Sequence, residues 1–291
     1  MKSILHQLIN RNRPKPLPQT PQMEAALQHT DKIIWSYWHT ETKPPIVELA
    51  IQTWRKHNPE YAIHVLSEPT IGNYLNMNAL PTTFARKMHC HKADIVRIAL
   101  LEKYGGVWID SSILINKPLS EEWDPTTYDV GGYYIQKSTH NINKPVFENW
   151  FISAPKNSAL IKEWKNEVFR GMSYNSNWDY IRSIKSTVNL QGITSKAYLL
   201  MHCAFLKITQ HKQYRIKAFK AEDGPFKYLC DFGWDSARAV EHLMSNTTAA
   251  VPDIIKLRSC ERPHINMDAI RPGSILDRLR QPIQVASNSA S

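Results

Sequence analysis

The chain has 291 residues, 42% of them hydrophobic and 21% charged, which suits one large globular domain and excludes a disordered or low-complexity chain. Its formal charge of +10 favours acidic partners, but Lys and Arg are scattered with no run of five, which argues against a nucleic-acid-binding protein. Cys90, Cys203, Cys230 and Cys260 lie far apart with no CxxC pairing, which argues against a disulfide framework or a zinc ribbon and for a reducing compartment.

Residues 1–28 are Pro-rich, polar and basic and are expected to form a flexible tail; residues 281–291 are expected to form another. The N-terminus lacks a signal h-region. No window approaches the roughly 18 apolar residues of a membrane span. A cytoplasmic chain is therefore expected, with any contact with an anionic membrane peripheral and made through basic surface.

KIIWSYW, Lys32 to Trp38, is a short β-rich run. Pro44 and Pro45 then open an amphipathic helix over about Ile46 to Lys56, because proline presets φ for a first helical turn. YAIHVLS is the next strand, carrying Ala62, Ile63, Val65 and Leu66. A loop with Pro69, Gly72 and Pro81 leads to a helix from Ala93 to Tyr104, apolar nearly all round and so expected to be buried. Gly105 and Gly106 stop it, and Val107 to Ile109 is the following strand. This rhythm predicts α/β with a largely parallel sheet. Beyond Asp129 the periods blur: GGYYIQ, NWFISA and DIIKLRS read as strands, and Ala159 to Phe169 and Ser236 to Met244 as helices. An α+β second half is predicted.

Ligands of open α/β sheets sit outside the carboxyl ends of the strands. Asp110 follows its strand immediately, and Trp35 to Trp38 close another, so both are candidates for one crevice. Asp94 and Arg97 share a helix face and can pair. They suit a structural ion pair or N-terminal cap, or a clamp on a hydroxyl-rich or anionic ligand. Asp110 suits a turn, or a hard divalent cation that also touches a diphosphate, since Mg²⁺ uses one or two carboxylates plus phosphate oxygens and water. His89, Cys90 and His91 are adjacent rather than spaced for one metal, so MHCHKAD is expected to be a loop leading into the helix. No GxSxG, HExxH, P-loop or GxGxxG motif is present.

HKADIVRIALLEKYGGVWIDSSILINKPL resembles the heart of the glycosyltransferase family 32 group, the DXD-sugar-binding type. That group carries Ala/Ser-Asp, Leu/Ile-x-Arg on a helix, YGG, an aromatic residue and Asp-x-Asp after a strand. KIIWSYWHTETKPPIVELAIQTWRKHNPEYAIHVLSE resembles its opening, where a strand ends in Trp and a helix ends W-x-x-x-N-P. NWFISAPKNSAL and IIKLRS are similar to later segments of its capsular polysaccharide synthesis branch. The resemblance covers roughly Asp31 to Arg258.

It implies a GT-A glycosyltransferase fold in one domain over residues 29–280. A Rossmann-like nucleotide-sugar-binding half with a mixed central sheet (29–128) would merge with an α+β acceptor-binding half (129–280). It implies transfer of a sugar from a nucleotide sugar, a UDP-sugar first among them, to a glycan or polysaccharide acceptor. Retention of anomeric configuration and Mn²⁺ or Mg²⁺ are implied with it. Residue by residue, Asp94 and Arg97 would hold donor-sugar hydroxyls. Trp35 would lie against the nucleobase, with Tyr37 also in the donor site. Trp108 matches the aromatic residue before the metal motif. Asp110 would be the first carboxylate of that motif, sharing the metal with Ser112. Asn149 would face donor or acceptor, and Lys256 would meet the diphosphate.

Ser112 stands where the motif's second Asp would be, and Ile255 where the branch tends to have His. Three accounts are open. Asp110, the diphosphate and water suffice to hold the cation. Alternatively, cationic side chains such as Lys256 and Arg258 do part of its work. Or catalysis has been lost, leaving a non-catalytic sugar-nucleotide- or glycan-binding protein.

Overall fold

The computed structural model of the chain describes residues 32–282. The two expected tails lie outside these residues, apart from 281–282. The elements run β1 (Ile33–Tyr37), α1 (Pro45–His57), β2 (Ala62–Leu66), α2 (His89–Tyr104), β3 (Gly106–Ile109), β4 (Ile113–Ile115), β5 (Val130–Tyr134), β6 (Phe147–Ala154) and α3 (Ala159–Met172). After these come α4 (Asn177–Ile184), α5 (Leu200–Thr209), β7 (Ile216–Lys220), α6 (Lys227–Cys230), α7 (Ser236–Ser245), β8 (Ile254–Lys256) and α8 (Ile275–Arg280), with short 3-10 turns between.

Six strands form one sheet in the order β2-β1-β3-β6-β5-β7, and β4 pairs with β8 in a separate ribbon. β1 is parallel to β2 and β3, and β5 to β7; β6 is antiparallel to both its neighbours. This is the expected α/β architecture with a mixed central sheet. The second half is not a separate layer, because β6 pairs directly with β3 and carries the sheet across.

The period of two along β1 divides the core. Ile33 and Trp35 enter one apolar cluster with α2, α3 and α5, while Ile34 enters the other with α1, β4, β8 and α7. Proline opens α1 as expected, with Pro44 at the N-cap and Pro45 at the first helical position. Two residues of its WRKHNP end act as anchors. Trp54 Nε1 donates to the carbonyl of Ile113 (2.6 Å), and Asn58 Oδ1 accepts from Leu119 N (2.7 Å).

The double glycine has a steric reason. Gly105 (φ +71) and Gly106 (φ +92) both lie in the left-handed region. A Cβ on Gly105 would sit 2.5 Å from Lys156 N, and one on Gly106 would sit 2.6 Å from the Ile33 carbonyl oxygen. The chain can therefore turn from α2 straight into β3 while packed against β1.

One expectation fails locally. MHCHKAD is not a loop: α2 begins at His89 and runs through it. Asp94 thus lies in the second turn and is no N-terminal cap. Its partners are side chains.

Candidate active site

The site forms where β1 and β3 end. Ile109 pairs with Phe151, so the middle of the antiparallel β6 lies beside the end of β3. Asp110 N donates to the Trp150 carbonyl (2.8 Å), and Ile113 N donates to the Asp110 carbonyl (3.0 Å). The turn is pinned by its serines: Ser111 Oγ donates to the Tyr37 carbonyl (3.3 Å) and Ser112 Oγ to the Leu257 carbonyl (2.7 Å). Asp110 is thereby presented to a cavity of about 580 Å³.

A line of polar side chains crosses the cavity floor. Asn149 Nδ2 donates to Asp94 Oδ1 (2.8 Å), and Arg97 Nη1 donates to the same oxygen. Arg97 Nη2 donates to Asp110 Oδ1 (2.8 Å), and Lys256 Nζ donates to Asp110 Oδ2 (2.9 Å). Trp108 Nε1 also donates to Asp110 Oδ1 (3.0 Å), and the Arg97 guanidinium lies 4.8 Å from the Trp108 ring centre. Asp110 is 27% exposed, whereas the side chains of Asp94, Arg97 and Lys256 are at most 9% exposed. Burial alone would raise the Asp110 carboxyl. The charges of Lys256 and Arg97, with hydrogen bonds from Lys256 and Trp108, outweigh it and hold the group down to about 2.

The predicted residues divide into two groups. Tyr37, Asp94, Arg97, Asp110, Ser112, Asn149 and Lys256 all line the cavity. Burial, then the neighbouring Glu68 carboxylate, pushes the Tyr37 phenol well up, and its hydroxyl faces Glu68 Oε1 at 3.4 Å. Trp35 does not line the cavity. It is fully buried, with Nε1 donating to the Gly105 carbonyl (2.9 Å) and its ring packed against His64 and Tyr104. Its side chain follows the inward register of β1, so a place against a nucleobase is corrected to a place in the core. Trp108 is also buried and reaches the cavity only through Asp110 and Arg97.

Other cavity residues carry no motif. Trp38 follows β1, and the Arg262 guanidinium lies 5.2 Å from its ring centre. Burial lowers the pKa of Arg262, and its guanidinium makes no hydrogen bond or ion pair among the described residues. Arg258 behaves differently. It donates through Nε and Nη2 to Glu261, whose side chain is fully buried, so its charge is already matched. His202 on α5 has neither ring nitrogen in a hydrogen bond, and lies 3.6 Å from Glu148 Oε1. Polar Glu148 and Asn149 inside the apolar run of β6 were the available signal for that wall.

The Mn²⁺ or Mg²⁺ implied for Asp110 and Ser112 does not fit this donor set. Both Asp110 oxygens already accept from cationic groups, and the Ser112 hydroxyl gives its proton to a carbonyl. Among the described residues no three His, Cys, Asp or Glu side chains converge on a metal position. Two unit charges of like sign about 4 Å apart repel by about 4 kcal/mol at an effective dielectric of about 20. A dication on Asp110 would meet about twice that from the Lys256 ammonium alone.

The sheet is mixed, and the crevice at its strand ends is lined by hydroxyls and charged groups. The chain belongs to the capsular polysaccharide synthesis protein family, whose model matches residues 2–221. It is 28% identical over 197 residues to O-glycosyltransferase braB of Annulohypoxylon truncatum, covering 61% of this chain and 43% of that protein. It is 26% identical over 152 residues to O-glycosyltransferase PaGT of Phomopsis amygdali, covering 46% and 37%. The chain therefore spans less than half the length of these relatives. Among solved structures, PaToxG glycosyltransferase is similar with a TM-score of 0.39 and 16% identity, over 86% of each chain.

Proposed function

We propose that the chain is a glycosyltransferase that moves a sugar from a nucleoside-diphosphate sugar to a hydroxyl of a glycan acceptor, with retention at the anomeric carbon. The observation that carries this is the line Asn149–Asp94–Arg97–Asp110–Lys256 on the crevice floor. Asp94 and Asn149 offer hydrogen-bonding groups to sugar hydroxyls. Lys256 offers positive charge to a diphosphate. In the transfer, the bond between the anomeric carbon and the diphosphate oxygen breaks and its electron pair leaves with the diphosphate. The acceptor oxygen bonds to the carbon, and its proton passes to the departing diphosphate. Positive charge placed where the diphosphate leaves favours that step. The curated relatives named glycosyltransferases support the same reading.

A UDP-sugar is the first donor to test. The formal charge of +10 also supports contact with an acidic surface, which co-sedimentation with anionic vesicles measures. No helix among the described residues is long and apolar enough to cross a membrane. The deciding experiment incubates the protein with a panel of nucleotide sugars, with and without glycan acceptors, and follows release of nucleoside diphosphate. Consumption of one donor supports the transferase, and the anomeric proton coupling of its product reports the configuration. Tight donor binding without consumption under any acceptor would favour a non-catalytic binder. Absence of binding would overturn the reading.

A further inference from the structure

We propose that the protein's own cations, Lys256 and Arg262, bind the donor diphosphate directly, so that donor binding needs no divalent metal. This rests on the donor reading above. Lys256 is not a surface lysine free to swing. It lies on β8, opposite Ile113 in the ribbon that begins right after Ser112. Its backbone N donates to the Pro225 carbonyl (3.0 Å), its carbonyl accepts from Tyr228 Oη (2.9 Å), and its side chain is 9% exposed. The ammonium is thus fixed on Asp110 Oδ2, so that this oxygen is already paired with a cation.

Ser112 supports the same arrangement. Its hydroxyl donates to the carbonyl of Leu257, the residue after Lys256, so it holds the lysine strand against the turn. A carboxylate there would face that carbonyl with no proton to give.

The remaining charges single out Arg262. Lys256 and Arg97 share the single charge of Asp110, Arg97 is matched by Asp94 as well, and Arg258 is matched by Glu261. Arg262 lines the cavity without an ion pair among the described residues, placed over the apolar face of Trp38. A guanidinium presents a fork that matches phosphate oxygens in pairs, and an ammonium acts on them as a compact point charge. Both are present here before any ligand arrives.

The test is calorimetric titration of the full chain, stripped with EDTA, with UDP, GDP and inorganic pyrophosphate, each repeated in Mn²⁺ and in Mg²⁺. The expected result is binding in EDTA with a Kd within about threefold of the value in metal. Arg262→Gln should weaken that binding by about tenfold or more, with a thermal midpoint at the parent value showing that the variant is folded. Lys256→Ala/Ser112→Asp removes the ammonium and supplies the second carboxylate, and should make binding depend on Mn²⁺. Wild-type binding that appears only with metal would overturn the inference and leave the donor reading standing, as would Arg262→Gln binding at the parent affinity. Failure of every nucleoside diphosphate to bind in any condition would overturn the donor reading, and the inference with it.

Discussion

Lys256 Nζ lies 2.9 Å from Asp110 Oδ2, joining residues 146 positions apart on the floor of the crevice. The contact ties the end of β3 to β8, an edge ribbon strand late in the chain. It also explains why a single acid can stand at the end of that β-strand. Asp110 orients two cations, Lys256 and Arg97, and they in turn keep it ionised.

Asp110→Asn tests that arrangement. The shape is kept and the charge removed, leaving Lys256 and Arg97 with a neutral neighbour. Stability should fall by about 2 kcal/mol, below the cost at a fully buried pair because the site is partly open. Donor consumption should fall by about 100-fold or more, the scale of losing a preorganised charge at a reacting centre. Asp110→Asn/Lys256→Met should regain part of the stability in urea denaturation but none of the turnover. Turnover near the parent level in the single variant would remove Asp110 from the site.

Arg97→Lys is expected to be severe although charge is conserved. The guanidinium serves Asp94 and Asp110 at once and stacks over Trp108, and an ammonium cannot span both carboxylates. The loss should be about 3 kcal/mol in urea denaturation, with buried Asp94 and partly buried Asp110 poorly satisfied. An unchanged midpoint would mean that Asp94 and Asp110 do not depend on the bridge.

The first half of the fold was legible because its signals are local. Pro44 and Pro45, the apolar α2 and the double glycine each state their structure within a few residues. Asp94, Arg97 and Asp110 were legible as types, but not the choice between structural pair and clamp, because their geometry depends on Lys256 and Asn149 from distant strands. The three-residue β4 is too short for a period, and α5 is buried nearly all round, so neither shows an amphipathic pattern. Arg262 follows β8 on a short 3-10 turn with nothing nearby to mark it. Trp35 misled because a tryptophan near a strand end looks available, and only the register of β1 shows that it points into the core.

Trp35→Phe separates core from site. The change removes the hydrogen bond to the Gly105 carbonyl and leaves that buried oxygen short of a donor. Stability should fall by about 1–3 kcal/mol, while UDP affinity stays at the parent value. Trp38→Ala should do the reverse, because Trp38 lines the cavity and backs Arg262. Its loss of aromatic contact should weaken UDP binding by up to about tenfold. Thermal denaturation and calorimetry on both variants check this. Weakened binding in Trp35→Phe alone would return Trp35 to the ligand.

Glu261 carries a pH signature apart from the catalytic line. Burial would raise its carboxyl above the ordinary 4.5, but hydrogen bonds from Arg258, Ser236 and Cys260 hold it down to about 2. A carboxyl lowered on folding stabilises the protein above its unfolded pKa and loses that contribution as pH falls through the folded one. The contribution is fully present above about pH 5 and disappears between about 4.5 and 2, with an upper value of about 3 kcal/mol at neutral pH. Glu261→Gln should therefore be less stable than the parent at pH 7, and the gap should close as the pH approaches 2. Asp110, held down by Lys256 and Arg97, gives the same sign over a similar acid range, so the variant keeps a smaller acid dependence of its own. Urea denaturation of both proteins at steps from pH 7 to pH 3 measures the gap. A gap that stayed constant with pH would mean that Glu261 is not ionised against Arg258, and that the arginine's charge is free to face the crevice.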